Sequence, residues 1–194
     1  VLKKVQEWYA REQRTNQDIP FPFWAQVWPS SIALAGFIEN NRQYVKDKNV
    51  TELAAGLGLP SIVAARYARQ VLASDFAAAS MQVLQQTVCF LGLYDRVKVM
   101  VQDWSQLPEN FKADTILISD INYDPAVFDQ LFIVLQRLLA NGCTIVLTTP
   151  QRLMAKPFIE RLLPYSSHQE TIPVLCCGDT VDISLLVLTP QVEG

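Results

Sequence analysis

The stretch Val50-Thr51-Glu52-Leu53-Ala54-Ala55-Gly56-Leu57-Gly58-Leu59-Pro60-Ser61 decides how this chain is read. A short apolar run opens into a glycine turn, and a helical pattern follows at once. Val50 to Ala54 reads as a buried strand, Ser61 to Arg69 as a helix and Val71 to Asp75 as a second strand. Strand, helix and strand in that order make a crossover unit. Such a unit leaves its two strands parallel and is almost always right-handed.

The same alternation continues toward the C-terminus. Residues 77–90 read as a helix and Val97 to Val101 as a third strand. Thr115 to Ser119 is a fourth strand, and residues 125–140 form a helix with Gly142 just past its end. Thr144 to Thr148 is a fifth strand and Gln151 to Leu163 a helix. Gln169 to Leu175 and Val181 to Leu188 are two more strands, joined across Cys176-Cys177-Gly178-Asp179 as a hairpin. The expectation is a doubly wound α/β fold. Its seven-stranded, mostly parallel, Rossmann-like sheet carries helices on both faces and an antiparallel hairpin at one edge. Toward the N-terminus, residues 1–14 place Leu2, Val5, Trp8 and Tyr9 at helical spacing. Pro20 and Pro22 then break regular structure, and Pro29-Ser30-Ser31 starts a helix with the apolar body Ile32 to Ile38. Residues 1–194 are expected to form one domain, with an aromatic, helical segment (1–48) ahead of an α/β core (49–194).

Composition narrows the function classes. Half of the chain is hydrophobic and 18% is charged, which suits a packed globular protein. No apolar run is long enough to suggest a membrane span, and no secretory signal is visible. Net charge is −3, spread as +2 over residues 1–48 and −5 over the rest. An acidic body argues against a nucleic-acid partner, because phosphate binding needs clustered Lys and Arg. It suits a cationic or zwitterionic ligand. The four cysteines form no Cys-x-x-Cys pair, and His168 is the only histidine. A metal site is therefore not expected, and a reduced, cytoplasmic protein is. Cys176 and Cys177 read as a turn with two reduced thiols, and His168 as an exposed strand-edge residue. No Gly-x-Ser-x-Gly elbow or phosphate-binding Lys loop is present.

In a doubly wound sheet, ligands bind beyond the carboxyl ends of the strands. Acids crowd that edge here: Glu52 ahead of the first turn, Asp75 ending strand two, Asp103 after strand three and Asp120 after strand four. Carboxylates gathered in one crevice repel each other unless a ligand brings positive charge and hydroxyl or amine donors. Each also has a plain structural reading, since an Asp at a strand end is often a helix cap. A nicotinamide cofactor wants Gly-x-Gly-x-x-Gly, but Ser61 stands at the third glycine position and Pro60 sits inside the turn. S-adenosylmethionine fits better, with Glu52 before the turn and Asp103-Trp104 after strand three.

Four blocks together resemble a known family: FWAQVWPSSIALAGFI (23–38), VTELAAGLGLPSIVAA (50–65), VKVMVQDWSQLP (97–108) and ILISDINYD (116–124). The chain resembles the class I, seven-strand methyltransferases. More narrowly, it is similar to the protein-lysine methyltransferase group described as nicotinamide N-methyltransferase-like. The resemblance implies S-adenosylmethionine as cofactor, with S-adenosylhomocysteine as product. It implies that Trp28 contacts the cofactor, that Ala54, Ala55 and Gly56 form the turn against its methionine part, and that Glu52 and Gly58 also belong to the cofactor site. Asp75 would hold the ribose hydroxyls, Asp103 and Trp104 would frame the adenine, and Ser119 would line the cofactor. Asp120 and Tyr123 would face the substrate amine as the catalytic pair. One departure stands out: Ala54 replaces the family's first loop glycine, and its methyl group narrows the backbone angles open to the turn.

The expected activity is methyl transfer to an amine nitrogen, with a lysine of a protein substrate as the acceptor. Lysine must shed a proton before it can react, and an adjacent carboxylate opposes that loss. Asp120 is therefore expected to hold and orient the amine, not to lower its pKa. Tyr123 would add a hydrogen bond and an aromatic wall. A small-molecule amine N-methyltransferase and a non-catalytic binding module on the same fold remain the alternatives.

Overall fold

The computed structural model describes residues 7, 9–11, 13–14, 21–122, 124–176 and 178–191. Seven strands form one sheet: β1 Asn49–Leu53, β2 Gln70–Asp75, β3 Val97–Val101, β4 Thr115–Ser119, β5 Thr144–Pro150, β6 Ser166–Cys176 and β7 Asp179–Leu188. Their order across the sheet is β3-β2-β1-β4-β5-β7-β6. The first five strands run parallel, and β7 pairs antiparallel with both β5 and β6. The expected doubly wound sheet with its C-terminal hairpin is the one observed. Among the described residues, these helices flank the sheet: α1 Pro29–Asn40, α2 Leu59–Ala64, α3 Ala78–Phe90, α4 Phe128–Ala140 and α5 Lys156–Leu162.

Side-chain alternation along the central strands divides the core in two. Val50, Leu117 and Val146 join one cluster with Leu34 and Ile38 of α1 and Leu84 and Val88 of α3. Leu53, Ile116, Ile118, Ile145 and Leu147 join the other, against Leu131, Leu135 and Leu138 of α4 and Phe158 of α5. Both faces of the central strands are thus covered, as near-continuous apolar strands require.

Element ends differ from the sequence expectation for identifiable reasons. β1 stops at Leu53 because Ala54 turns to a left-handed φ of 52°. The helix expected over 61–69 is the shorter α2, which starts at Leu59 with a proline in its first turn. The helix expected over 151–163 begins only at Lys156; Arg152 ahead of it is extended, at φ −97° and ψ 131°. Of the expected N-terminal helix, Glu7 and residues 9–11 are helical, whereas Leu2, Val5 and Trp8 lie outside the described residues. His168 lies exposed on β6, at the sheet edge as expected, stacked on Phe37 and 3.6 Å from Glu170. Cys176 ends β6, and Cys177 lies outside the described residues.

Candidate cofactor and acceptor cleft

The sheet order reverses between β1 and β4, whose strands are direct neighbours. A crevice opens at such a switch point because the connections leaving the two strands diverge. Here it is a cleft of about 360 Å³, within the range of small-molecule sites. Its floor is the turn after β1, Ala54 to Leu59. One wall is Asp75, Phe76 and Ala77 at the end of β2. The other is Ser119, Asp120 and Ile121 after β4, with Arg152 behind them. The segment Phe21 to Trp28 closes the top.

The floor is fixed from several sides. Gly56 N–H donates to Asp75 Oδ2 at 3.0 Å, and Ser80 Oγ of α3 donates to the Gly56 carbonyl at 2.6 Å. Gly58 N–H closes the turn onto the Ala55 carbonyl at 2.7 Å. Gly56 and Gly58 both sit at positive φ, 53° and 69°, where glycine carries no steric penalty. A Cβ on Gly58 would also lie 2.6 Å from Leu84 Cδ1. Asp75 takes a second backbone N–H, from Ala77 at 2.9 Å. Each of its oxygens keeps a lone pair free for a ligand hydroxyl.

Glu52 lies elsewhere. It shares the face of β1 that carries Val50 into the core and is completely buried beneath the turn. Its Oε2 accepts both the Ser61 N–H at 2.8 Å and the Ser61 hydroxyl at 2.5 Å, whereas Oε1 has no partner. Burial without a cation pushes its carboxyl up to about 8, against the opposing pull of the Ser61 hydrogen bonds, and nearby Asp75 adds to the rise. Glu52 is therefore a neutral brace between β1 and α2, outside the cleft wall.

Asp103 and Trp104 are also absent from the wall. Asp103 Oδ1 accepts the Ser105 N–H at 2.8 Å and caps the turn after β3, and the Trp104 indole leans on the core face that holds Leu53 and Ile116. The structure does bring together Trp28, Ala54, Ala55, Gly56, Gly58, Asp75, Ser119 and Asp120. Tyr123 lies outside the described residues. The Trp28 indole N–H donates to the Phe23 carbonyl at 2.8 Å, which turns its ring across the segment that roofs the cleft.

Three contributors escaped the sequence reading. Ser80 and Phe76 follow β2 and carry no motif. Arg152 is the larger omission. Its guanidinium grips Asp120 with both arms, Nη1 to Oδ1 at 2.5 Å and Nη2 to Oδ2 at 3.0 Å. Asp120 sits at a positive φ of 55°, with its N–H on the Thr148 carbonyl of β5 at 2.9 Å. That bond carries the turn after β4 toward the segment after β5, where Arg152 stands. Asking which cations, as well as which acids, end each strand would have found it.

Known proteins give this geometry a family. A family model described as lysine methyltransferase matches residues 12–163. The chain is 30% identical over 152 residues to EEF1A lysine methyltransferase 3 of Mus musculus, covering 75% of this chain and 65% of that protein. It is 30% identical over 119 residues to the histone-arginine methyltransferase METTL23 of Xenopus laevis, covering 58% and 50%. The chain thus spans between half and two thirds of these relatives' length. A putative RNA methyltransferase of Pyrococcus horikoshii shares the fold, with a TM-score of 0.68 at 14% identity over 90% of this chain and 92% of that one. So does magnesium protoporphyrin IX methyltransferase of Synechocystis, solved with bound S-adenosylmethionine, at a TM-score of 0.63 and 17% identity over 93% and 91%. With the sheet order, the pinned glycine turn and the matched span in agreement, this chain belongs to the lysine methyltransferase family.

Proposed function

We propose that the chain binds S-adenosylmethionine in this cleft and methylates a nitrogen on a protein side chain, a lysine amine in the first instance. The observation that carries the reading is Asp75. Two backbone N–H groups fix its carboxylate beside a positive-φ turn, with lone pairs left over for a ribose diol. Trp28, Ala54, Ala55, Gly56, Gly58 and Ser119 complete a mostly apolar cradle that suits adenosine and a thioether chain. When bound, the cofactor supplies a methyl group activated on a sulfonium. The chain's own residues would do the rest. Asp120 presents a carboxylate at the far wall to orient the acceptor nitrogen, and the Phe21–Trp28 segment keeps water out from above. The printed names of the relatives support a basic protein side chain as acceptor. A reduced, intracellular setting fits the lack of any motif that calls for oxidation. No helix among the described residues is long and apolar enough to cross a membrane.

The test is isothermal titration of S-adenosylmethionine and S-adenosylhomocysteine into wild type and Asp75→Ala. The reading requires micromolar binding to wild type and its loss in the variant. Asp120→Asn should keep that binding while methyl transfer to lysate proteins, read with labelled cofactor, falls about 100-fold or more. No binding to wild type would overturn the reading in favour of a binding module. Label appearing only on metabolites would move the acceptor to a small-molecule amine.

A further inference from the structure

We propose that Arg152 is a positioning residue that cancels the charge of Asp120, so that the acceptor nitrogen enters the cleft as a free amine. The inference rests on the N-methylation reading above and adds a feature which that reading lacks. A lysine side chain in water is an ammonium and has no lone pair to share. A lone carboxylate at the acceptor wall would bind that ammonium and hold its proton in place, by about one to three pH units. The wall does not carry a lone carboxylate. Both Asp120 oxygens are taken by one guanidinium, at 2.5 and 3.0 Å, in the forked geometry of the strongest protein ion pairs.

Both partners line the cleft, and neither is buried as an isolated charge. The Asp120 side chain is 9% exposed and that of Arg152 31%. The pair is built into the backbone, with Asp120 at φ 55° and Arg152 in the extended stretch ahead of α5. Other charges facing the acceptor wall are few. From the end of β2 comes Asp75, whose oxygens are turned to Gly56 and Ala77. The Phe21–Trp28 roof and the turn after β1 contribute no ionisable side chain to the lining, and Glu52 is held under that turn on Ser61. Beyond the wall, Asp124 caps the Ala126 N–H and Asp182 of β7 stands exposed. Among the described residues, Arg152 is therefore the one cation that lines the cleft.

The chemistry follows. The carboxylate keeps its outer lone pairs and can accept one N–H from an amine to aim it. With its charge compensated, it gains little from accepting an ammonium instead. The ammonium N–H bond breaks, its electron pair stays on nitrogen, and the proton leaves to water before or during entry. Nitrogen then holds the lone pair that methyl transfer needs.

The test uses n-butylamine, a lysine side chain without its backbone, and reads binding by saturation-transfer NMR between about pH 7 and 10, over which the neutral minority of the amine grows by more than about a hundredfold. Wild type should bind it more tightly as pH rises. Arg152→Met should reverse the trend: Asp120 stands uncompensated, and butylammonium at pH 7 binds about tenfold more tightly than to wild type. Arg152→Lys keeps the charge and should follow the wild-type direction. A structural role alone would lower binding in Arg152→Met at every pH and leave the trend unchanged, which would overturn the inference. Absence of binding to wild type at every pH, with S-adenosylhomocysteine still bound, would overturn the amine reading and the inference together. Circular dichroism of both variants separates either result from misfolding.

Discussion

The turns after β1 and β4 lie side by side at the carboxyl edge of the sheet, and they handle an acid in opposite ways. Each bends through a non-glycine residue at positive φ, Ala54 at 52° and Asp120 at 55°. Before the first bend, Glu52 points into the core, meets only Ser61, and is pushed to about 8. At the second bend the acid is the bent residue itself. It faces the cleft and meets a guanidinium. Position relative to the strand end separates these outcomes: Glu52 lies inside β1, in register with Leu117, whereas Asp120 lies past the end of β4. The acid inside the strand is a neutral brace, and the acid past the strand end lines the cleft beside a guanidinium. Burial alone does not mark function.

The sharpest way to break that contrast is Glu52→Gln. A carboxyl whose folded pKa lies above its unfolded value stays protonated in the native state while the unfolded chain ionises. Wild-type stability should therefore be full below about pH 4.5 and fall as pH rises toward 8, by up to about 1.4 kcal/mol per pH unit. The amide cannot ionise, and its oxygen can still accept both Ser61 donors. Urea unfolding at pH 5 should find the two proteins within about 1 kcal/mol of each other. At pH 8 the variant should be the more stable by a few kcal/mol. A wild type with flat stability over this range would mean that Glu52 is ionised, and the contrast with Asp120 would fall.

Gly58→Ala probes the floor with a smaller effect. An L-residue at φ 69° costs about 1–2 kcal/mol, and the new methyl must displace the buried end of Leu84. A loss of about 2–3 kcal/mol in urea unfolding is expected, together with weaker cofactor binding. Stability lost without any change in binding would show that the turn tolerates rearrangement and that Asp75 alone defines the site.

The sheet was legible because its evidence is periodic. Apolar runs of five, spaced by helical segments and ended by acids, leave little choice of topology, and the order around β1 and β4 follows. Asp75 and the glycine turn were legible as strand-end features for the same reason, and both line the cleft at the switch point. Sequence shows that an acid stands near a strand end but not which way its side chain turns, so it did not reveal that Glu52 and Asp103 stand outside the cleft wall. Glu52 turns inward on the same strand face as Val50, onto Ser61, and a two-residue cap turns Asp103 to Ser105. Arg152 stands just past the end of β5 and could be read there as a strand-end cation, but its pairing with Asp120, 32 residues away, is not visible in the sequence. The parallel pairing of β4 with β5, continued by the Asp120–Thr148 backbone bond, brings the two together.

Ala54→Gly is the mildest change and the most direct comparison of the two bends. Ala54 already occupies the left-handed region at a cost of about 1 kcal/mol, and glycine would remove that cost. Against this, glycine gives the unfolded chain more freedom, by about 0.4–1 kcal/mol, and takes away a methyl that leans on the core face around Leu53. The terms nearly cancel, so urea unfolding should shift by less than about 1 kcal/mol in either direction. Cofactor affinity, read by titration, should change by no more than about fivefold, because a backbone already held by Asp75 and Ser80 has little strain left to release. A gain well beyond that would mean that the Ala54 methyl itself holds the turn away from its ligand-ready shape. The first bend would then limit binding, and the difference between the two turns would lie in strain instead of charge.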